Sequence, residues 1–229
     1  MMIIALIVGI IVFYIVYFFV SIANSNEKLL KLYNKYMAIR NEKGMLGKDV
    51  AFLGRRVYGL DIRIAMRDGV LTDAYSVSKK IVIMSNDVCN SASIASAGIV
   101  AHELGHAVQH KNRTFLFGLN RFLNTFSRVF CGFAVPCCMV GGVMWAVGWY
   151  ANIGQVVLIV GIALFIIHIM NNLIEIPLES NASEIGFRFL IDYYIIDKKD
   201  YRKVKKLMRV AGKTYMKDFF KQLIPFRFR

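Results

Sequence analysis

Positive charge is missing from two long stretches of this chain: no Lys or Arg precedes Lys28, and none lies between Arg128 and Arg188. Acidic residues are missing from Leu104 to Ile174, so residues 129–174 carry no charge at all. Cysteine is sparse, four in 229 residues, and Cys131, Cys137 and Cys138 fall inside one apolar run, which argues against a disulfide framework. Adjacent Cys137 and Cys138 would point to different helix faces, so they read as packing residues and not as metal ligands.

What is present is an unusual pairing of grease and charge. The chain is 57% apolar with a mean hydropathy of +0.50, yet it holds 29 Lys and Arg against 15 Asp and Glu, a net charge of +14. Soluble domains are typically ~45–50% apolar, and disordered chains are poorer still in apolar residues, so both classes are excluded. The cations fall in two blocks, Lys28–Arg128 and Arg188–Arg229, and follow the apolar segments. No base-reading module accompanies them, so no nucleic-acid partner is expected.

Three segments reach the ~20 apolar residues that a bilayer requires. They are Met2–Ala23, Val129–Tyr150 and Val156–Ile174, the last two joined by the uncharged link 151–155 into a helical hairpin. The first lacks a cationic leader and exceeds the ~7–15 residues of a signal-peptide core, so it reads as an uncleaved anchor despite the small residues Ser21 and Ala23. Lys28, Lys31, Lys35 and Arg40 follow the first span, Arg121 and Arg128 precede the second, and Arg188 follows the third. By the positive-inside rule, residues 24–128 and 176–229 face the cytoplasm of a plasma membrane. The expected fold is an α+β membrane protein, mainly helical, with about three transmembrane helices. Its expected parts are an anchor at 2–23, a small cytoplasmic domain at 24–128, the hairpin at 129–174 and a cytoplasmic segment at 175–229.

Within 24–128 the pattern predicts helices over 27–40 and 48–58, interrupted at Gly44–Gly47. Strands are predicted over Leu60–Arg67, where apolar and charged residues alternate, and over Lys79–Ser85; Tyr75–Ser78 is less regular. From Ser91 the small and aliphatic run SASIASAGIVAHELGHAVQH predicts a helix of about five turns. Lys198–Leu223 reads as a basic amphipathic helix, its apolar side lying on the anionic inner leaflet.

The helix from Ser91 contains His102-Glu103-Leu104-Gly105-His106, an HExxH motif. Four residues apart, the two imidazoles stand one turn above the other and can share a cation, while Glu103, rotated by ~100°, can reach a water on that cation. Gln109 and Asn112 exclude the continuation HExxHxxGxxH. A third ligand must therefore come from a distant acid, Glu175 or Glu179, which flank Pro177, or from His110 or His168. Pro177 is expected to break or kink its helix, or to open a new one.

LTDAYSVSKKIVIMS (71–85), AHELGHAVQH (101–110) and IPLESNAS (176–183), in that order, resemble the YugP-like neutral zinc metallopeptidases of bacterial membranes, similar in layout to the CAAX prenyl proteases. The likeness runs from about Lys28 to about Tyr215. It implies a zincin-like catalytic domain, one Zn²⁺ per chain held by His102, His106 and Glu179, and Glu103 as catalytic base. The chain departs from the family pattern after Leu71-Thr72-Asp73, where Ala74-Tyr75-Ser76-Val77 replaces a His followed by Tyr-Asp-Pro. The implied activity is peptide-bond hydrolysis at the cytoplasmic face, on membrane or membrane-proximal polypeptides. An extended substrate is expected to pair with a strand edge at Lys80–Met84. Tyr75, His110 and Asn181 are candidates for contacts around the metal. The alternatives are a protease cutting inside the bilayer and a non-catalytic membrane adaptor with a structural or lost zinc site.

Overall fold

The computed structural model describes residues 28–148 and 150–221, so the predicted anchor at 2–23 lies outside the described residues. The protein is mainly helical with one small sheet. A helix over 28–37 (α1) leads to α2 (Gly47–Val57), then β1 (Arg63–Arg67), β2 (Ala74–Ser76) and β3 (Ile81–Ser85). Next come the short α3 (Asn86–Asn90), α4 (Ile94–Asn112), α5 (Phe115–Phe130), α6 (Ala134–Val147), α7 (Ala151–Asp192) and α8 (Tyr201–Lys221).

The sheet order is β1-β3-β2, with β1 parallel to β3 and β2 antiparallel to it. β3 is therefore the central strand. The expected free edge at Lys80–Met84 is corrected: Ile81–Ile83 are paired on both sides, and Ala74–Ser76, which alternation alone left unassigned, forms the outer strand. The alternation misses β2 because a three-residue edge strand has no room for a period to show.

α4 is the centre of the fold. Ser93 caps its start, accepting from Ser96 N at 3.0 Å, and Arg113 ends it in the left-handed region at φ 46°. Its Ala, Gly and Ser side chains are small enough for neighbours to close in on every side, and residues from Ile94 to Gly105 are buried. Buried Val82 and Met84 of β3, Val50 of α2, Phe189 and Leu190 of α7, and Val204 and Leu207 of α8 join it in one hydrophobic core. Two glycines set the closest approach. A side chain at Gly105 would strike the backbone of Ala182, and one at Gly186 the backbone of Ala101.

α7 is 42 residues long and runs through Pro177, so of the expected outcomes a break and the start of a new helix do not occur. A proline removes one hydrogen bond and crowds the carbonyl four residues back, a cost of ~3 kcal/mol that flanking turns and packing can absorb. The hairpin turn also falls earlier than expected, at Gly148 (φ 78°) and Tyr150 (φ 50°), with 151–155 inside α7. Among the described residues, α7 alone is long and apolar enough to cross a membrane. The predicted span 129–150 is divided by a 3₁₀ turn at Cys131–Phe133, and α6 has only 14 residues. Pro136 falls in the first turn of α6, a position where its missing N–H costs no helical hydrogen bond.

α6 and α7 pack through Gly141, Gly154 and Gly161, each pressed against the opposing backbone, a mode typical of helices in lipid. Around them Val140, Val143, Ile159, Ile166 and Met170 are exposed, a contiguous set of apolar side chains on α6 and α7. Nearer the core a polar seam joins α5 to α7. Ser127 Oγ lies 3.2 Å from His168 Nδ1, and Asn171 Nδ2 donates to Asn124 Oδ1 at 2.8 Å. The apolar face of α8 differs in destination from the expectation: Val204, Leu207 and Met208 are buried in the core, so through Ala211 that face packs on protein and is not available to lipid.

Gly186→Leu should separate α7 from α4 and lower stability by at least ~2 kcal/mol, whereas Gly142→Ala, where a side chain meets nothing within 4 Å, should be close to neutral. Melting temperatures of the two variants in detergent check this.

Candidate metal centre

The close approach of α4 and α7 brings His102, His106 and Glu179 together, with one ligand atom from each lying within 4.8 Å of the others. His102 Nε2 is 3.1 Å from Glu179 Oε2, and His106 Nε2 is 3.3 Å from Glu179 Oε1. The imidazoles meet nearly edge to face, at 82° with centroids 4.8 Å apart, so both Nε2 atoms converge on the carboxylate.

The outer ring nitrogens are held. His102 Nδ1 is 3.0 Å from Ser183 Oγ, one turn beyond Glu179 on α7. His106 Nδ1 is 3.1 Å from Gln109 Oε1, and the orientation of that amide is set independently, because Gln109 Nε2 donates to Leu178 O at 2.8 Å and Asn181 Oδ1 at 2.9 Å. The Gln109 amide oxygen can only accept, so in the neutral ring it makes His106 Nδ1 the donor and leaves Nε2 as the lone-pair atom, whereas the Ser183 hydroxyl can donate to His102 Nδ1 or accept from it. Gln109 was read from sequence only as a residue that breaks the longer zinc motif. Its anchoring role depends on α7 lying across α4, which no local pattern shows.

Glu103 is 2% exposed, and its Oε2 accepts from Tyr75 N at 2.6 Å. That bond points the amide of the outer strand at the HExxH helix and not at β3. Tyr75 OH lies 2.7 Å from His110 Nδ1, whose ring stacks on Phe117. His168 sits in the α5–α7 seam, apart from the cluster, and Asn181 serves Gln109. Glu175, one turn before Glu179, is not among the grouped ligands, and its Oε2 is buried without a hydrogen-bond partner.

The electrostatics are those of a site that wants a cation. Burial works against charge on His106, but the adjoining Glu179 carboxylate, aided by Glu103 and Gln109, outweighs it and raises the pKa to about 9. Burial likewise works against charge on Glu179, yet His106 and His102 hold it well below the usual carboxylate range. Two imidazoles and one carboxylate, with outer nitrogens already bonded, are a donor set that fits Zn²⁺ and match in number the three protein ligands of catalytic zinc sites.

Close enough to Glu103 to feel its charge is Asp73, the last residue shared with the family pattern before the chain departs from it. It is 3% exposed and accepts from Ser85 N at 2.6 Å and from Ser85 Oγ at 3.2 Å. Burial pushes its pKa up to about 6, against the Ser85 bonds and with a further contribution from Glu103.

A family model described as "Putative neutral zinc metallopeptidase" matches residues 7–226, and the chain belongs to that family. Membership implies zinc as its metal. The chain is also similar to "Putative membrane protease YugP" of Bacillus subtilis (strain 168), 27% identical over 191 residues, which are 82% of this chain and 81% of the relative. No solved structure matches it.

Asp73 binds its proton more tightly folded than unfolded, so its contribution to stability falls as pH rises from about 4 to about 6. Asp73→Asn should remove that slope. The difference in stability between the wild type and this variant is expected to shift by on the order of 2–3 kcal/mol across the window, read from melting curves at a series of pH values.

Proposed function

We propose that the protein is a membrane-integrated zinc endopeptidase that hydrolyses peptide bonds of membrane or membrane-proximal polypeptides at the cytoplasmic face. The observation that carries the reading is the convergence of His102 Nε2, His106 Nε2 and the Glu179 carboxylate beside Glu103. In this reading those three hold one Zn²⁺ per chain, which when bound acidifies water and polarises the substrate carbonyl. Glu103 removes the proton from the attacking water and returns it to the leaving amine. The Tyr75 amide fixes the Glu103 carboxylate in place. Ser183 and Gln109 aim the two imidazoles.

The membrane assignment rests on α7, on the exposed apolar side chains of the hairpin and on the similarity to the putative membrane protease YugP. Residues 2–23 and the hairpin 129–174 form the spanning part. The cytoplasmic orientation rests on the cations flanking those segments. The catalytic body combines 24–128 with 175–229, since one hydrophobic core contains residues from both.

Glu103→Gln is expected to keep its zinc and lose cleavage by ~10²-fold or more, measured as metal content together with new protein termini in intact membranes. Identical termini in the wild type and the variant would favour the adaptor reading. Glu179→Ala should lower the zinc content of the purified protein, and an unchanged stoichiometry would move the third ligand elsewhere.

A further inference from the structure

Next to the metal centre, α7 and α8 enclose a groove of about 960 Å³ that has Glu179 and Ser183 in its wall. Phe187 and Met208 give it an apolar lining. Three cations line it: Arg188 of α7, nine residues beyond Glu179, and Lys205 and Arg209 of α8, one turn apart. Glu184, the remaining acid in the wall, already pairs with Arg188, and the Lys205 ammonium lies over the Phe187 ring at 5.7 Å. The groove thus has a candidate metal ligand in its wall together with a surplus of positive charge.

We propose that this groove is a substrate subsite that binds a polypeptide flank bearing a carboxylate, an Asp or Glu side chain about three to four residues from the scissile bond. The proposal rests on the protease reading above. Glu179 and Arg188 are nine residues apart on one helix, or ~13 Å at ~1.5 Å per residue. An extended peptide covers that distance in about four residues at ~3.3 Å each, and the reach of an Arg or Lys side chain shortens the count. The apolar lining takes the intervening side chains, and the cations select the acidic one. A phospholipid headgroup would be served by the cations alone. Continuity with Glu179 favours a chain that must pass the metal.

The test uses the full-length zinc-loaded protein in neutral detergent and a proteome-derived peptide library, with every cut site read by mass spectrometry. Wild type is expected to show Asp and Glu enriched about two- to five-fold at the third or fourth position on one side of the cut, the range of partly exposed ion pairs. Lys205→Glu combined with Arg209→Glu should abolish that preference or invert it towards Lys and Arg, with zinc content and melting temperature retained. Cleavage without acidic preference, or the same preference in both proteins, overturns the proposal. Peptides captured by the Glu103→Gln protein provide a readout independent of chemistry. Acidic enrichment among them without cleavage by wild type counts against the protease reading and leaves the groove assignment standing; capture without enrichment overturns the groove. A charge-reversed protein that loses affinity for phosphatidylglycerol vesicles while keeping the wild-type peptide preference makes the groove a lipid site, which also overturns it.

Discussion

The metal centre depends on how closely two backbones approach. Gly105 lies against Ala182 and Gly186 against Ala101, so α7 rests on α4 with no side chain between them. Glu179 is one turn from the first contact and meets both His side chains across the crossing. Were the helices held apart by ordinary side chains, at the usual 8–10 Å or more, a carboxylate on one could not reach two imidazoles stacked on the other. The glycine inside HExxH therefore has a packing duty distinct from the chemistry of its neighbours, and the same is true of Gly186, which lies in no metal-binding motif.

The catalytic helix was legible because its chemistry and its periodicity coincide: His102, Glu103 and His106 stand on a run of small residues that could only be a buried helix. Glu179 was harder. Spacing left it level with Glu175, and the likeness of the segment around it to a known family favoured it; the crossing of α4 and α7 places it opposite the imidazoles. The roles of Gln109 and Asp73 escaped notice for a common reason. Each acts through a partner distant in sequence, Leu178 and Asn181 for the first and Ser85 for the second, and a residue with an ordinary local context gives no sign of such a partner. β2 was hidden by brevity, and with it the identity of the outer strand. The apolar stripe of α8 was visible, but amphipathicity states only that a face must be covered, not what covers it. Through Ala211 the protein core covers it.

The polar contacts around the centre act in two layers. Ser183 and Gln109 hold the outer nitrogens of the imidazoles, and Gln109 is itself tied to the backbone and to Asn181 of α7. The same helix pair thus supplies both the converging groups and the bonds that aim them. Tyr75 extends the arrangement to the sheet, through its amide to Glu103 and its hydroxyl to His110. Displacement of β2 would disturb the carboxylate without touching the imidazoles.

α7 continues from the hairpin turn beyond Glu179 to Asp192. The apolar portion, the Glu179 carboxylate and one wall of the α7–α8 groove thus belong to a single continuous helix, with Pro177 between the first and the other two. Deleting the hairpin would therefore cut within the element that carries Glu179, one of the three candidate metal ligands. A water-soluble version would have to be made by repainting Val140, Val143, Ile159, Ile166 and their exposed neighbours with polar side chains, leaving the helix at full length.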